Sequence, residues 1–175
     1  MSKQHSQRGF SLIEVLVAVL VVAIGLVGLA GMQLVGLKGN QQSFSKNQAA
    51  HHTQALLERM RGNPPGVFND DYVVNSSTLN CDTVPAANCT AATSSCDSKQ
   101  IAKYDIYQAF CGSRSASNGG IRRDLSNAQL VISCPVNCTS GVTINISWQE
   151  QVLGKESSGG DTVARELTLN TRIGK

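Results

Sequence analysis

The chain has 175 residues, 41% hydrophobic and 15% charged, with 15 basic against 12 acidic side chains and a net charge of +3. That length fits one domain of modest core plus an appended segment. Lys3 and Arg8 precede the first apolar run; without them 13 basic residues meet 12 acidic ones, a balance that argues against a dedicated nucleic-acid binder.

Residues 1–9 are polar and basic and too short to fold. Arg8-Gly9-Phe10-Ser11-Leu12-Ile13-Glu14 then opens onto an apolar run to Leu37 that Gln33 interrupts. Val15 to Leu37 are 23 residues without a formal charge. As a helix they reach about 35 Å, enough to cross a bilayer core. This predicts a membrane contact. Glu14 stands alone at the threshold, where an unpaired carboxylate costs about 2.5 to 3.5 kcal/mol. Nothing in the run neutralises it, so a cation has to come from a neighbouring protein or a newly made chain terminus.

Gly25, Gly28, Gly31, Gly36 and Gly39 punctuate the run and its exit. Each lowers helix propensity by roughly 1 kcal/mol relative to Ala yet permits close helix packing, with Gly28 and Gly31 as a candidate face. Glycine is also simply common in membrane helices.

From Asn40 the helix is expected to continue in water to Arg61, where Arg59 and Arg61, then Gly62-Asn63-Pro64-Pro65-Gly66, supply the stop. Ala49, Leu56 and Met60 share a face, widened by Leu57 and Phe44, and His52 occupies the position between Ala49 and Leu56. That stripe reads as the core face. His51 and His52 read as solvated. Phe10 to Arg61 would be 52 residues, about 78 Å long. No domain of this size buries such a helix alone.

Residues 62–98 are rich in Asn, Ser, Thr, Asp, Pro and Cys without sustained period and read as a cross-linked loop. A short helix is expected at Lys99–Cys111, capped by Asp97 or Ser98, with Ala102, Ile106 and Phe110 on one face. Gln129–Cys134 reads as a strand, and Val142-Thr143-Ile144-Asn145-Ile146-Ser147-Trp148 alternates at period two. Leu153–Thr162 reads as a flexible turn before Val163–Ile173, where Leu167, Leu169, Thr171 and Ile173 alternate with polar residues. The expected fold class is α+β: a long N-terminal helix packed on a small antiparallel meander of three strands, stabilised by disulfides.

Cys81, Cys89, Cys96, Cys111, Cys134 and Cys138 all follow the apolar run. That asymmetry fits an oxidising compartment across the membrane, with Lys3 and Arg8 retained inside. Six cysteines allow 15 pairings, and up to three disulfides are expected; Cys134 and Cys138 are near enough to close a tight loop. No Cys-x2-Cys pair occurs and His51 and His52 are far from any cysteine, so no metal site is expected. Beyond the leader the chain has two histidines, adjacent on one helix, and neither a Gly-x-Ser-x-Gly elbow nor an HExxH motif. No enzyme, catalytic residue or cofactor is expected.

Gly9-Phe10-Ser11-Leu12-Ile13-Glu14, with its basic leader and long apolar run, resembles the class III (prepilin) signal of type IV pilins and type II secretion pseudopilins. The resemblance implies cleavage by prepilin peptidase between Gly9 and Phe10, N-methylation of Phe10, and pairing of the new amine with Glu14 of an adjacent subunit. It divides the chain into a cytoplasmic leader (1–9), a transmembrane or filament-core helix half (10–38) and a periplasmic head that includes the rest of the helix (39–175). A Sec signal peptide cut after Gly28-Leu29-Ala30, leaving Gly31 first, and an uncleaved anchor share the basic flank and apolar span, but neither has a use for Glu14.

Ala55-Leu56-Leu57-Glu58-Arg59-Met60-Arg61-Gly62-Asn63-Pro64 and the late Val142–Trp148 strand resemble PilV-type minor pilins. Major pilins often carry a proline in the apolar helix, and none lies between Phe10 and Arg61. The resemblance implies a minor pilin in the bacterial inner membrane, N-terminus cytoplasmic and head periplasmic, then in the pilus. Its partners would be prepilin peptidase, other minor and major pilins and the inner-membrane assembly platform, and its role pilus priming, adhesion and motility. A secretion pseudopilin is the nearest alternative, although a calcium loop is not evident among Glu150, Glu156, Asp161 and Glu166. A DNA-uptake pilin is another, on Arg114, Arg122 and Arg123 near Gly119-Gly120.

Overall fold

The computed structural model describes residues 11–85, 89, 95–112, 119–151 and 162–174. Gly9, Phe10, Arg114 and residues 153–161 of the turn expected at Leu153–Thr162 lie outside them; Thr162 is strand rather than turn. Helix α1 runs Leu12–Gly62, and the chain divides into two units, Met1–Gln41 and Gln42–Lys175.

In the first unit the run of α1 from Val15 to Leu37 carries apolar side chains all round, and the large apolar side chains are exposed, from Leu12 and Ile13 through Val35 and Leu37. Between Val15 and Leu37 only Gln33 is polar, too little to mark out a polar face. Such a helix needs lipid or other helices around it.

In the second unit α1 buries Ala49, Thr53, Leu56, Leu57 and Met60. Those positions recur every three to four residues and form one stripe. Thr53 joins it because its hydroxyl donates to the Ala49 carbonyl at 2.8 Å, leaving no polar group unpaired. His52 points aside and holds Asp124, so it is not the solvated residue expected; His51 is exposed. Phe44 does not widen the stripe and is 60% exposed. Five residues before Ala49, it sits about 140° around the helix.

The prolines that stop α1 also start α2 (Pro64–Phe68), where a proline's missing N–H costs nothing. Asn63 caps α2, accepting from the Gly66 N–H at 3.4 Å. The segment expected to be loop also holds strand β1 (Val74–Asn75) and a 3-10 turn at Ser76–Thr78. Elements of two to five residues are too short to show a period. Helix α3 (Ser98–Cys111) opens on a reciprocal capping box between Asp97 and Gln100 and buries Ala102, Ile106 and Phe110 as expected. Helix α4 (Ile121–Asp124) is a single turn without a side-chain cap.

Strands β2 (Gln129–Ser133), β3 (Val142–Gln151) and β4 (Thr162–Thr171) form the expected meander, and β1 adds a fourth strand at its edge, in the order β1-β2-β3-β4. All pairings are antiparallel; Ile132 faces both Val74 and Ile144, and Ile144 faces Leu169. Leu130, Ile132, Val142, Ile144, Ile146 and Trp148 point inward onto the α1 stripe and α3, in one hydrophobic core. The opposite face carries Thr143, Asn145, Thr168 and Asn170, which bond to one another in cross-strand pairs. Three disulfides form, Cys81–Cys111, Cys89–Cys96 and Cys134–Cys138, a connectivity that spacing had left open.

Candidate assembly site

Glu14 lies in the first turn of α1, where the Ser11 carbonyl accepts from the Glu14 and Val15 N–H groups at 3.0 and 3.4 Å. An acidic side chain is favoured there by the helix dipole. Among the described residues no cation pairs with it. The carboxylate therefore stands beside exposed Leu12, Ile13, Val15 and Leu16 with its counter-charge unprovided. Gly9 and Phe10, the expected cleavage and methylation positions, lie outside the described residues. No Cβ added at Gly25, Gly28 or Gly31 would meet another atom within 4 Å, so these glycines leave helix surface open to a neighbour.

In the head, the end of α1 is held by a network that sequence reasoning missed. Tyr72 Oη donates to Asp105 Oδ2 at 2.7 Å, Arg59 to Asp105 Oδ1 at 3.2 Å and to Gln108 Oε1 at 2.7 Å, and Gln108 Nε2 to Tyr104 Oη at 2.9 Å. Asn63 Nδ2 reaches the Ser98 carbonyl at 2.8 Å and Tyr72 Oη at 3.3 Å. Burial, then the bond to Asp105, pushes the Tyr72 hydroxyl far above the ordinary tyrosine range. The available signal was an Asp on the α3 face beside Ile106 and a Tyr in a polar segment, and spacing alone does not pair residues 33 positions apart.

The disulfides extend that fastening. Cys81–Cys111 ties the loop after the 3-10 turn to the end of α3. Cys134–Cys138 closes the β2–β3 connection, and the Cys138 N–H donates to Asp70 Oδ1 at 2.8 Å. Asp70, Cys134 and Cys138 are close enough to hold an ion, but the two sulfurs are bonded to each other. Glu150 is engaged by Trp148 Nε1 at 3.0 Å and Arg165 Nε at 3.2 Å, and Glu166 by Asn145. Glu156 and Asp161 lie outside the described residues. Arg122 and Arg123 are exposed on α4, next to Asp124, which His52 holds at 2.9 Å.

The prokaryotic N-terminal methylation motif family matches residues 4–30, the stretch that contains Gly9, Phe10 and Glu14. The family described as type IV pilin Tt1218 matches residues 31–107, from the apolar helix through most of α3. The chain is type IV pilin-like. No curated protein and no solved structure matches this pilin-like chain at a significant level. Type IV pilins are structural proteins, and similarity to them implies, in general terms, processing by prepilin peptidase and association with other pilins. The class III signal and apolar α1 are the pattern of a membrane-anchored chain. The α+β architecture, long helix first and small antiparallel sheet last, is consistent with a pilin fold; the match itself runs from α1 into α3 and ends before β2.

Proposed function

We propose that this pilin-like chain is a PilV-type minor pilin, a stoichiometric subunit rather than a catalyst. The observation that carries the pilin-type reading is Glu14, unpaired among the described residues at the threshold of a helix whose apolar side chains are exposed. A secretion pseudopilin would share it, and the choice of a minor pilin rests on the resemblance of residues 55–64 and 142–148. Removal of residues 1–9 between Gly9 and Phe10 and methylation of Phe10 would place an amine four residues from Glu14. Across a subunit boundary that amine offers the missing cation.

In this reading, residues 10–38 hold the chain in the bacterial inner membrane and later line the filament core, while 39–175 form the periplasmic head. The assembly platform extracts the helix from lipid into a bundle of neighbouring pilin helices. The apolar surface changes solvent rather than becoming exposed to water, so its transfer involves little net hydrophobic cost. Insertion of a minor subunit of this kind would prime the pilus and support adhesion and motility.

The decisive experiment is the intact mass and N-terminal sequence of the protein from a host with its own pilus machinery. A start at methylated Phe10 is expected. A start at Gly31 or at the unprocessed N-terminus would overturn the reading. Glu14→Ala should still be inserted and cleaved yet be lost from complexes recovered with the other minor pilins.

A further inference from the structure

A second site lies in the head, independent of the assembly role. A cavity of about 640 Å³ opens between the 3-10 turn at Ser76–Thr78, the loop through Asp82, helix α4 and the approach to β2. Its volume is within the range of pockets that take small organic ligands, roughly 300 to 1,000 Å³. Its lining is unlike an apolar pocket. Ser77, Asp82, Arg122 and Asn127 converge on it, and among the described residues the side chains of these four have no hydrogen-bond or ion-pair partner. Arg122 and Asp82 line the same cavity without forming an ion pair with each other.

The walls are fixed by bonds that leave those groups free. Asn75 caps the 3-10 turn, accepting from the Ser77 N–H at 3.0 Å, and its carbonyl accepts from the Thr78 hydroxyl at 2.8 Å. The buried Ser76 hydroxyl oxygen accepts the Leu130 N–H at 2.8 Å and joins the turn to β2. Cys81–Cys111 fastens the next loop to α3, and Asn127 holds a left-handed backbone, φ 48°. Phe110 supplies an apolar floor. The polar groups are thus presented by a braced frame, which limits the ordering cost of binding.

We propose that this cavity binds an acidic saccharide, a pyranose unit that carries a carboxylate beside vicinal hydroxyls. The guanidinium of Arg122 matches a carboxylate in a charge-assisted, two-pronged contact. Asp82 accepts only, so it needs donors, which vicinal hydroxyls provide. Ser77 and Asn127 both donate and accept, as the remaining hydroxyls and ring oxygen require. A simple anion satisfies Arg122 but is repelled by Asp82. A neutral sugar satisfies Asp82 but leaves Arg122 unmatched.

The test is a calorimetric titration of the full-length, detergent-solubilised chain with trigalacturonate, beside maltotriose and inorganic phosphate. Saturable binding of trigalacturonate is expected, with Arg122→Gln weakening it about tenfold or more and Asp82→Asn weakening it several-fold. Arg123→Gln, at a neighbouring exposed arginine that does not line the cavity, should bind as the unaltered protein does. Absence of saturable binding up to about 10 mM trigalacturonate, equal binding of maltotriose or phosphate, or equal losses for Arg122→Gln and Arg123→Gln would each overturn the proposal. Because processing at Phe10 is read by mass in the same preparation, failure here is separable from failure of the pilin assignment.

Discussion

Replacing Asp105 by alanine should be among the most damaging single changes in the head. Its side chain is 11% exposed and accepts from Tyr72 Oη at 2.7 Å and from Arg59 at 3.2 Å. Truncation deletes a charge-assisted hydrogen bond, about 1.5 to 3 kcal/mol, and strands the hydroxyl of fully buried Tyr72 without an acceptor, about 1 to 3 kcal/mol more. Arg59 contributes little to the loss, being 40% exposed and still bonded to Gln108. The total is about 2.5 to 6 kcal/mol. At about 3 °C per kcal/mol for a domain of this size, the melting temperature should fall by about 8 to 18 °C.

Tyr72→Phe removes donor and hydroxyl together and leaves Asp105 with Arg59, so it should cost less, about 1 to 2 kcal/mol. Thermal unfolding of the full-length protein in detergent, followed by near-ultraviolet circular dichroism, reads both. A fall of under about 3 °C for Asp105→Ala, or a larger fall for Tyr72→Phe than for Asp105→Ala, would refute this account. The pair also predicts a pH dependence. Tyr72 holds its proton above the unfolded tyrosine value near 10. Its contribution is therefore complete below about pH 10 and is lost as pH rises beyond it. Tyr72→Phe should flatten that part of the stability profile.

The disulfides should rank by loop length. Removing Cys81–Cys111, a separation of 30 residues, should cost about 3 to 4 kcal/mol, and removing Cys134–Cys138, a separation of 4, about 2 kcal/mol; paired serine variants compared by melting temperature check the order. Gly120→Ala should destabilise strongly, because its Cβ would run into the Phe110 carbonyl and the Gly112 nitrogen at the end of α3. Denaturant midpoints for it and for Gly141→Ala, where the nearest atom is 3.7 Å away, should differ clearly. Leu56→Ala should cost about 2 to 5 kcal/mol and Phe44→Ala less than about 0.5 kcal/mol, as one is fully buried and the other 60% exposed. Equal melting temperatures for those two variants would contradict the placement of the core stripe.

The amino-acid order alone determined those features whose cause is local. The span from Val15 to Leu37 is apolar by composition, and Glu14 is conspicuous because a single charge stands at its edge. Gly62 and the following prolines end α1 by backbone sterics, Asp97 caps α3 by a bond three residues long, and β3 alternates because successive side chains of a strand face opposite ways. Tertiary structure decided what depends on partners distant in sequence. Strand β1 exists because Val74 pairs with Ile132, 58 positions later, and two residues carry no pattern of their own. His52 looked solvated because Asp124 is 72 positions away, and Thr53 entered the core because its hydroxyl turns back to Ala49. The choice among fifteen cysteine pairings, the Tyr72–Asp105–Arg59 network and the cavity beside Arg122 arise only when α3, α4 and the sheet are folded against the second half of α1. Long-range contacts of this kind are selected by the shared core and have no signature in spacing.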